Sequence, residues 1–196
     1  MPKNILVLDL ETKRTFEEVG GYNNLGALGV SVVGVYSYRN NEYRAFWEAD
    51  FSKLDDLFAT KPLVVGFNQR KFDMPVLQPW VKTDLQQLPL LDVMEEMQKV
   101  LGHRVSLDSV AQATLGTKKS GHGLDAIRYW RTGELDKLQQ YCLDDVRITK
   151  EVYEYGAKNK ELLYVNKYGN GNLAAKIDWN VQHPLEKEAV GQLGLF

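Results

Sequence analysis

Apolar positions along this chain follow two periods. Up to Asp92 they come in short runs, and from Val93 onward they recur at helical spacing. The first run, Ile5 to Glu11, is continuous and closes on acids, the pattern of a buried central strand with polar groups at its C-terminal end. Thr12 to Leu28 is polar and carries Gly20, Gly21 and Gly26, so it reads as a long loop or insertion. Gly29 to Tyr38 is rich in Val and Tyr and predicts a second strand. Arg39-Asn40-Asn41 is a turn into a third strand from Glu42 to Trp47, which makes a hairpin. Phe51 to Phe58 predicts a short amphipathic helix, and Pro62 to Phe67 a strand. Met74 to Val81 predicts a helix with Pro75 in its first turn, and Leu88 to Asp92 a short strand.

The helical block opens with Val93 to Leu101, closed by Gly102 as a C-cap. Ser106 caps a helix through Leu115 that ends at Gly116. Thr117 to Gly123 is a basic loop. Leu124 to Trp130 and Glu134 to about Lys158 are helical. Glu161 to Tyr168 and Asn172 to Trp179 flank Gly169-Asn170-Gly171 as a closing hairpin. This order predicts an α/β domain over residues 1–179, with a mixed sheet, the first strand central and helices on both faces. Residues 180–196 predict a flexible tail.

Composition narrows the class. With 196 residues, 44% of them hydrophobic, one domain can bury a proper core. A net charge of -2 argues against coating nucleic acid by bulk electrostatics, while leaving room for an enzyme that holds it locally. The single cysteine, Cys142, sets no demand for an oxidising compartment and reads as a small core residue. The N-terminal apolar run is too short for a signal-peptide core or a membrane span, so the expectation is a cytoplasmic protein without membrane association.

The chemistry concentrates in carboxylates. Asp9 and Glu11 are two apart on a strand and face the same side. Tyr141 and Asp145 are four apart on a helix and share a face, with Asp144 one step round. Asp73 follows Phe72 just after a strand. If these elements converge, the site is oxygen-rich and anionic, suited to Mg²⁺ or Mn²⁺ rather than zinc. His103, His122 and His183 have no mutual ligand spacing. Two such ions make a phosphodiester-cleaving site. Taken singly, each motif is equally a turn residue, a helix cap or a helix face. Gly20-Gly21 marks a turn and lacks the pattern of a phosphate-binding loop.

Asp9-Leu10-Glu11, the segment Asn68-Gln69-Arg70-Lys71-Phe72-Asp73, and Tyr141 with Asp145 together resemble the RNase H-like 3′–5′ exonucleases of the DEDD superfamily. That family has Asp-x-Glu on the first strand, then Asn-x₂₋₃-(Phe/Tyr)-Asp, then Tyr-x₃-Asp or His-x₄-Asp. Gln140 stands where the histidine form needs His, so the chain is similar to the tyrosine, or DEDDy, type. The resemblance runs from about Ile5 to Tyr153. It implies an RNase H-like sheet and two metal ions. Asp9, Glu11 and Asp145 would hold one ion. Asp9 would bridge to the second, assisted by Asp73, and Tyr141 would position the attacking water. It also implies nucleotide contacts at Thr12, Asn68 and Phe72. Lys118, Lys119 and His122 read either as a phosphate contact or as a solvated loop.

The final residues, Gln192-Leu193-Gly194-Leu195-Phe196, resemble the Gln-Leu-(Ser/Asp)-Leu-Phe peptide by which bacterial replication proteins hold the β sliding clamp. Gln192, Leu193, Leu195 and Phe196 would make that contact, which favours a DNA substrate in replication or repair. An RNA exonuclease, an endonuclease of RNase H type, and a catalytically idle domain that binds nucleic acid or a partner remain as alternatives.

Overall fold

The computed structural model describes residues 4–117, 123–166 and 171–179. Its centre is a five-stranded mixed sheet in the order β3-β2-β1-β4-β5. The strands are β1 (Ile5–Thr12), β2 (Val30–Ser37), β3 (Glu42–Phe46), β4 (Leu63–Gly66) and β5 (Leu90–Asp92). β1 is central, antiparallel to β2 and parallel to β4, and β4 is parallel to β5. All the parallel strands therefore end at one edge, where Asp9 and Glu11 lie.

Both faces of the sheet are covered, which is why β1 is apolar at successive positions. Leu6, Leu8 and Leu10 pack on one face with Leu54 and Phe58 of α1 (Ser52–Ala59) and with Val76 and Leu77 of α2 (Asp73–Leu77). Ile5 and Val7 pack on the other with Val110 of α4 (Leu107–Leu115) and Val146 and Ile148 of α6 (Leu135–Asn159), beside α3 (Val93–Leu101). The strand period of two therefore sends Asp9 and Glu11 toward the α6 side, and the repulsive ends of β1 meet that helix rather than α1. α5 (Gly123–Thr132) packs on α6 next to this edge.

The long helix α6 buries Leu138, Cys142, Val146, Val152 and Tyr153 as one apolar stripe. It approaches the sheet closely at Gly34, whose neighbour across the ladder is Asp9. A Cβ at Gly34 would lie 2.8 Å from Val146 Cγ2 and 2.9 Å from Cys142 Sγ, so only glycine fits between strand and helix there. The hairpin β6 (Glu161–Val165) and β7 (Asn172–Lys176) closes the same layer. Thr114 Oγ1 donates to the Leu163 carbonyl and accepts its N–H, at 2.9 and 3.0 Å, and Trp179 is buried against Tyr153.

Three element predictions need correction. Thr12 to Leu28 is not a plain loop. It folds into 3₁₀ turns at Glu17–Val19 and across Tyr22–Leu28, and it inserts Leu28 into the core. Its glycines supply the reversals, with Gly20 and Gly21 at φ of 80° and 99°. The helix expected over Met74 to Val81 stops as α-helix at Leu77 and tightens to 3₁₀ at Gln78–Trp80. Pro79 has no N–H to continue the α ladder. The strand expected from Leu88 begins at Leu90, after a 3₁₀ turn at Leu85–Gln87. No helix among the described residues is long and apolar enough to cross a membrane.

Candidate metal centre

Three of the predicted carboxylates meet. Ligand oxygens of Asp9, Glu11 and Asp145 all lie within 4.8 Å of one another. Two come from one face of β1 and the third from α6. Asp145 is 3% exposed and Glu11 8% exposed, so their charges are largely withdrawn from bulk water. At an effective dielectric of about 20, two carboxylates at this range repel by roughly 3 kcal/mol. Carboxylates gathered this closely could hold a divalent cation, and an all-oxygen donor set suits Mg²⁺ or Mn²⁺.

Asp73 stands beside the trio without joining its close cluster. It begins α2, is buried, and its Oδ1 accepts the N–H of Leu10 at 3.2 Å, between the two acidic residues of β1. Tyr141 lies one helical turn before Asp145 and is 5% exposed. Asp144 points elsewhere, receiving Gln140 at 3.2 Å and Arg147 at 3.6 Å. Cys142 is fully buried, with Sγ 3.7 Å from the Asp9 carbonyl. Burial, and then the charges of Asp9, Glu11 and Asp145, push its thiol well above the usual range. It is held as a neutral packing residue and is no nucleophile.

The predicted nucleotide contacts divide between two sides of this edge. Thr12 and Phe72 line a cleft of about 320 Å³ that opens beside Glu11. The spacing of motifs did not single out the other walls of that cleft: Arg14, Phe16, Leu124 and Ile127. Phe16 belongs to the insertion from Thr12 to Leu28 and packs 5.8 Å from Phe72, ring centre to ring centre. Its alternation with polar neighbours carries no strand or helix signal, so only the aromatic side chain itself hinted at a role. Asn68 lies on the other side, immediately beyond β4, with a left-handed backbone at φ 67°. Asp92 holds this turn. Its carboxylate accepts the N–H of Asn68 at 2.8 Å and of Arg70 at 3.0 Å while capping α3. Burial nonetheless raises the Asp92 carboxyl above its ordinary range, against those hydrogen bonds.

Lys118, Lys119 and His122 lie outside the described residues, as do Gln192, Leu193, Leu195 and Phe196. A cavity of about 610 Å³ lies elsewhere, between α2 and Leu90. It is lined by Met74, Pro79 and Leu85, and Arg70 at its margin is bound to Glu95 at 3.0 Å.

A mixed sheet with a central acidic strand, and a helix that returns a further carboxylate to it, defines a class of metal-binding α/β domains. Residues 6–156 match the RNase H superfamily, and the chain belongs to it. No curated protein matches the chain in sequence. Among solved structures, Trypanosoma brucei RNase D is similar in fold, with a TM-score of 0.57 and 17% identity over 78% of this chain and 57% of that one. Trypanosoma brucei RNase D in complex with RNA U12 is similar with a TM-score of 0.55 and 18% identity, over 78% and 55%. The chain thus spans little more than half the length of these structures, and at such identities the likeness is one of fold.

Proposed function

We propose that the chain is a divalent-metal-dependent 3′–5′ exonuclease that hydrolyses phosphodiester bonds at single-stranded DNA ends. The observation that carries this reading is the convergence of Asp9, Glu11 and Asp145 within 4.8 Å. Their donor set fits Mg²⁺ or Mn²⁺: three carboxylates, with the one nearby thiol kept protonated. Asp9, Glu11 and Asp145 would hold one ion, and Asp9 with Asp73 would hold a second. Bound there, such ions supply charge neutralisation at phosphorus and a water of lowered pKa. Tyr141, a turn before Asp145, orients the attacking water through its hydroxyl. Thr12 and Phe72 seat the terminal nucleotide in the cleft beside Glu11, where Phe16 offers a ring face to the base.

Superfamily membership supports a nuclease. The fold likeness to RNase D, solved with RNA, keeps RNA as the alternative substrate. DNA is favoured by the pattern Gln192-Leu193-Gly194-Leu195-Phe196, similar to a β-clamp-binding peptide. The test is digestion of end-labelled linear and circular single strands, DNA beside RNA, with Mg²⁺ or Mn²⁺. Stepwise shortening from the 3′ end, abolished in Asp9→Ala and in Asp145→Ala, is expected. Full activity in either variant removes the metal-site reading. Cleavage of circles makes the enzyme an endonuclease, and hydrolysis of RNA alone reassigns the substrate. A parent without hydrolysis would be an idle binding domain.

A further inference from the structure

A second cleft lies between the loop after α3 and the β6–β7 hairpin. It encloses about 300 Å³, and His103, Arg104, Ser109, Tyr164 and Leu173 are among its walls. Among the described residues no carboxylate lines it. The His103 and Tyr164 rings meet edge-to-face at 6.1 Å, and Leu173 leaves 43% of its surface exposed at the mouth. The hairpin wall is fixed, because Ser109 Oγ on α4 accepts the N–H of Val165 at 3.0 Å. The cleft is therefore a formed cavity with ring surfaces, an apolar lip and a cation.

Its cation points back to the acidic edge. Arg104 Nη2 donates to Asn68 Oδ1 at 2.7 Å. Asn68 leaves β4 two residues after Gly66, and β4 runs parallel to β1, so it emerges at the edge that carries Asp9 and Glu11. Arg44, Arg70, Arg128, Arg131 and Arg147 are each paired with a carboxylate. Arg14, Arg39 and Arg104 have no carboxylate partner among the described residues; Arg39 lies on the exposed turn after β2, Arg104 bonds a neutral amide and Arg14 the Ala27 carbonyl. Arg14 lines the cleft beside Glu11, and Arg104 lines the second cleft. In a chain of net charge -2, Arg104 and Arg14 leave guanidinium charge without a carboxylate partner in both clefts.

We infer that the cleft between the His103–Val105 loop and the β6–β7 hairpin binds an upstream nucleotide of the single-stranded substrate, with its phosphate on Arg104 and its base against His103 and Leu173. The inference rests on the nuclease reading of the acidic site. It extends that reading to a subsite built partly by residues beyond 156, outside the span matched to the superfamily. A guanidinium with donors to spare suits a phosphate oxygen, and ring faces accept any base. The subsite therefore favours length without selecting sequence.

The experiment compares kcat/KM of the full chain on a series of single-stranded oligonucleotides, from two to eight residues, of the sugar type that the parent hydrolyses. The parent is expected to gain about tenfold when the strand becomes long enough to enter the cleft, the worth of one stacked base with its phosphate. Arg104→Ala should lose most of that gain. It should also flatten its dependence on log salt concentration by about 0.7. Leu173→Asp, on an exposed position, should lose the gain by placing a like charge against the strand. Arg104→Lys should keep part of it. An unaltered ratio of long to short substrate in both Arg104→Ala and Leu173→Asp overturns the subsite and leaves the nuclease reading standing. So does a parent whose rate is independent of length. A parent that hydrolyses no oligonucleotide of any length overturns both.

Discussion

Gly34→Ala tests whether the seat of α6 on β2 sets the metal centre. The added methyl would sit 2.8 Å from Val146 Cγ2 and 2.9 Å from Cys142 Sγ, where carbon contacts ordinarily rest at about 3.5–4.0 Å. The Cys142 thiol can rotate, but β-branched Val146 is stiff at χ1 and fully buried. The helix must therefore move off the strand by roughly 0.7 Å or more. Overpacking of this kind costs about 1–3 kcal/mol. For a chain of this size that is a fall in Tm of about 2–12 °C. The same displacement separates Asp145, carried on α6, from Asp9, which faces Gly34 across the ladder. Shifts of about 1 Å in a reacting constellation can cost on the order of 100-fold in rate. The assays are thermal melting in EDTA, calorimetric titration with Mn²⁺, and single-turnover hydrolysis. Lower Tm, weaker Mn²⁺ binding and slower hydrolysis are expected together. Val146→Ala should cost less stability in the Gly34→Ala background than in the parent, because the two sites share one clash. Parent-like melting refutes the packing argument. Lower Tm with parent-like Mn²⁺ affinity refutes the link from packing to site.

Two further outcomes are expected. Asp145→Asn removes one of three mutually repelling charges, so in EDTA it should melt above the parent, and it should lose the rise in Tm that Mn²⁺ brings to the parent. A lower Tm than the parent in EDTA would show that the carboxylate stabilises the metal-free fold. In the tail, Leu195→Ala with Phe196→Ala should abolish surface-plasmon binding to a bacterial β clamp; equal binding by parent and variant, or none by either, counts against the docking peptide.

Residues whose roles depend on near neighbours were legible in the chain. The alternation of β1 placed Asp9 and Glu11 on one face, and the four-residue step placed Tyr141 and Asp145 on another. Asp92, which caps α3 and braces the Asn68 turn, was passed over because an acid between strand and helix has many ordinary uses. Gly102 and Gly116 close their helices in left-handed geometry, and Ser106 caps α4 through Ser109 N–H, as their positions predicted. The 3₁₀ turns inside the predicted insertion are not legible in the chain because such turns have no strong apolar period, and their shape comes from packing Leu28 into a core assembled elsewhere.

Sequence alone determined the α/β class, the helix ends closed by Gly102 and Gly116, and the pairing of acids within each element, because these are set by torsional preference and by periods of two and 3.6 residues. Only the tertiary structure decided that Asp9, Glu11 and Asp145 lie within 4.8 Å while Asp73 turns to the Leu10 amide. The close seat of α6 on Gly34 and the bond from Arg104 to Asn68 were likewise decided there. These are contacts between segments tens of residues apart. They arise from covering both faces of one sheet, and no local pattern encodes the distance at which such a helix comes to rest.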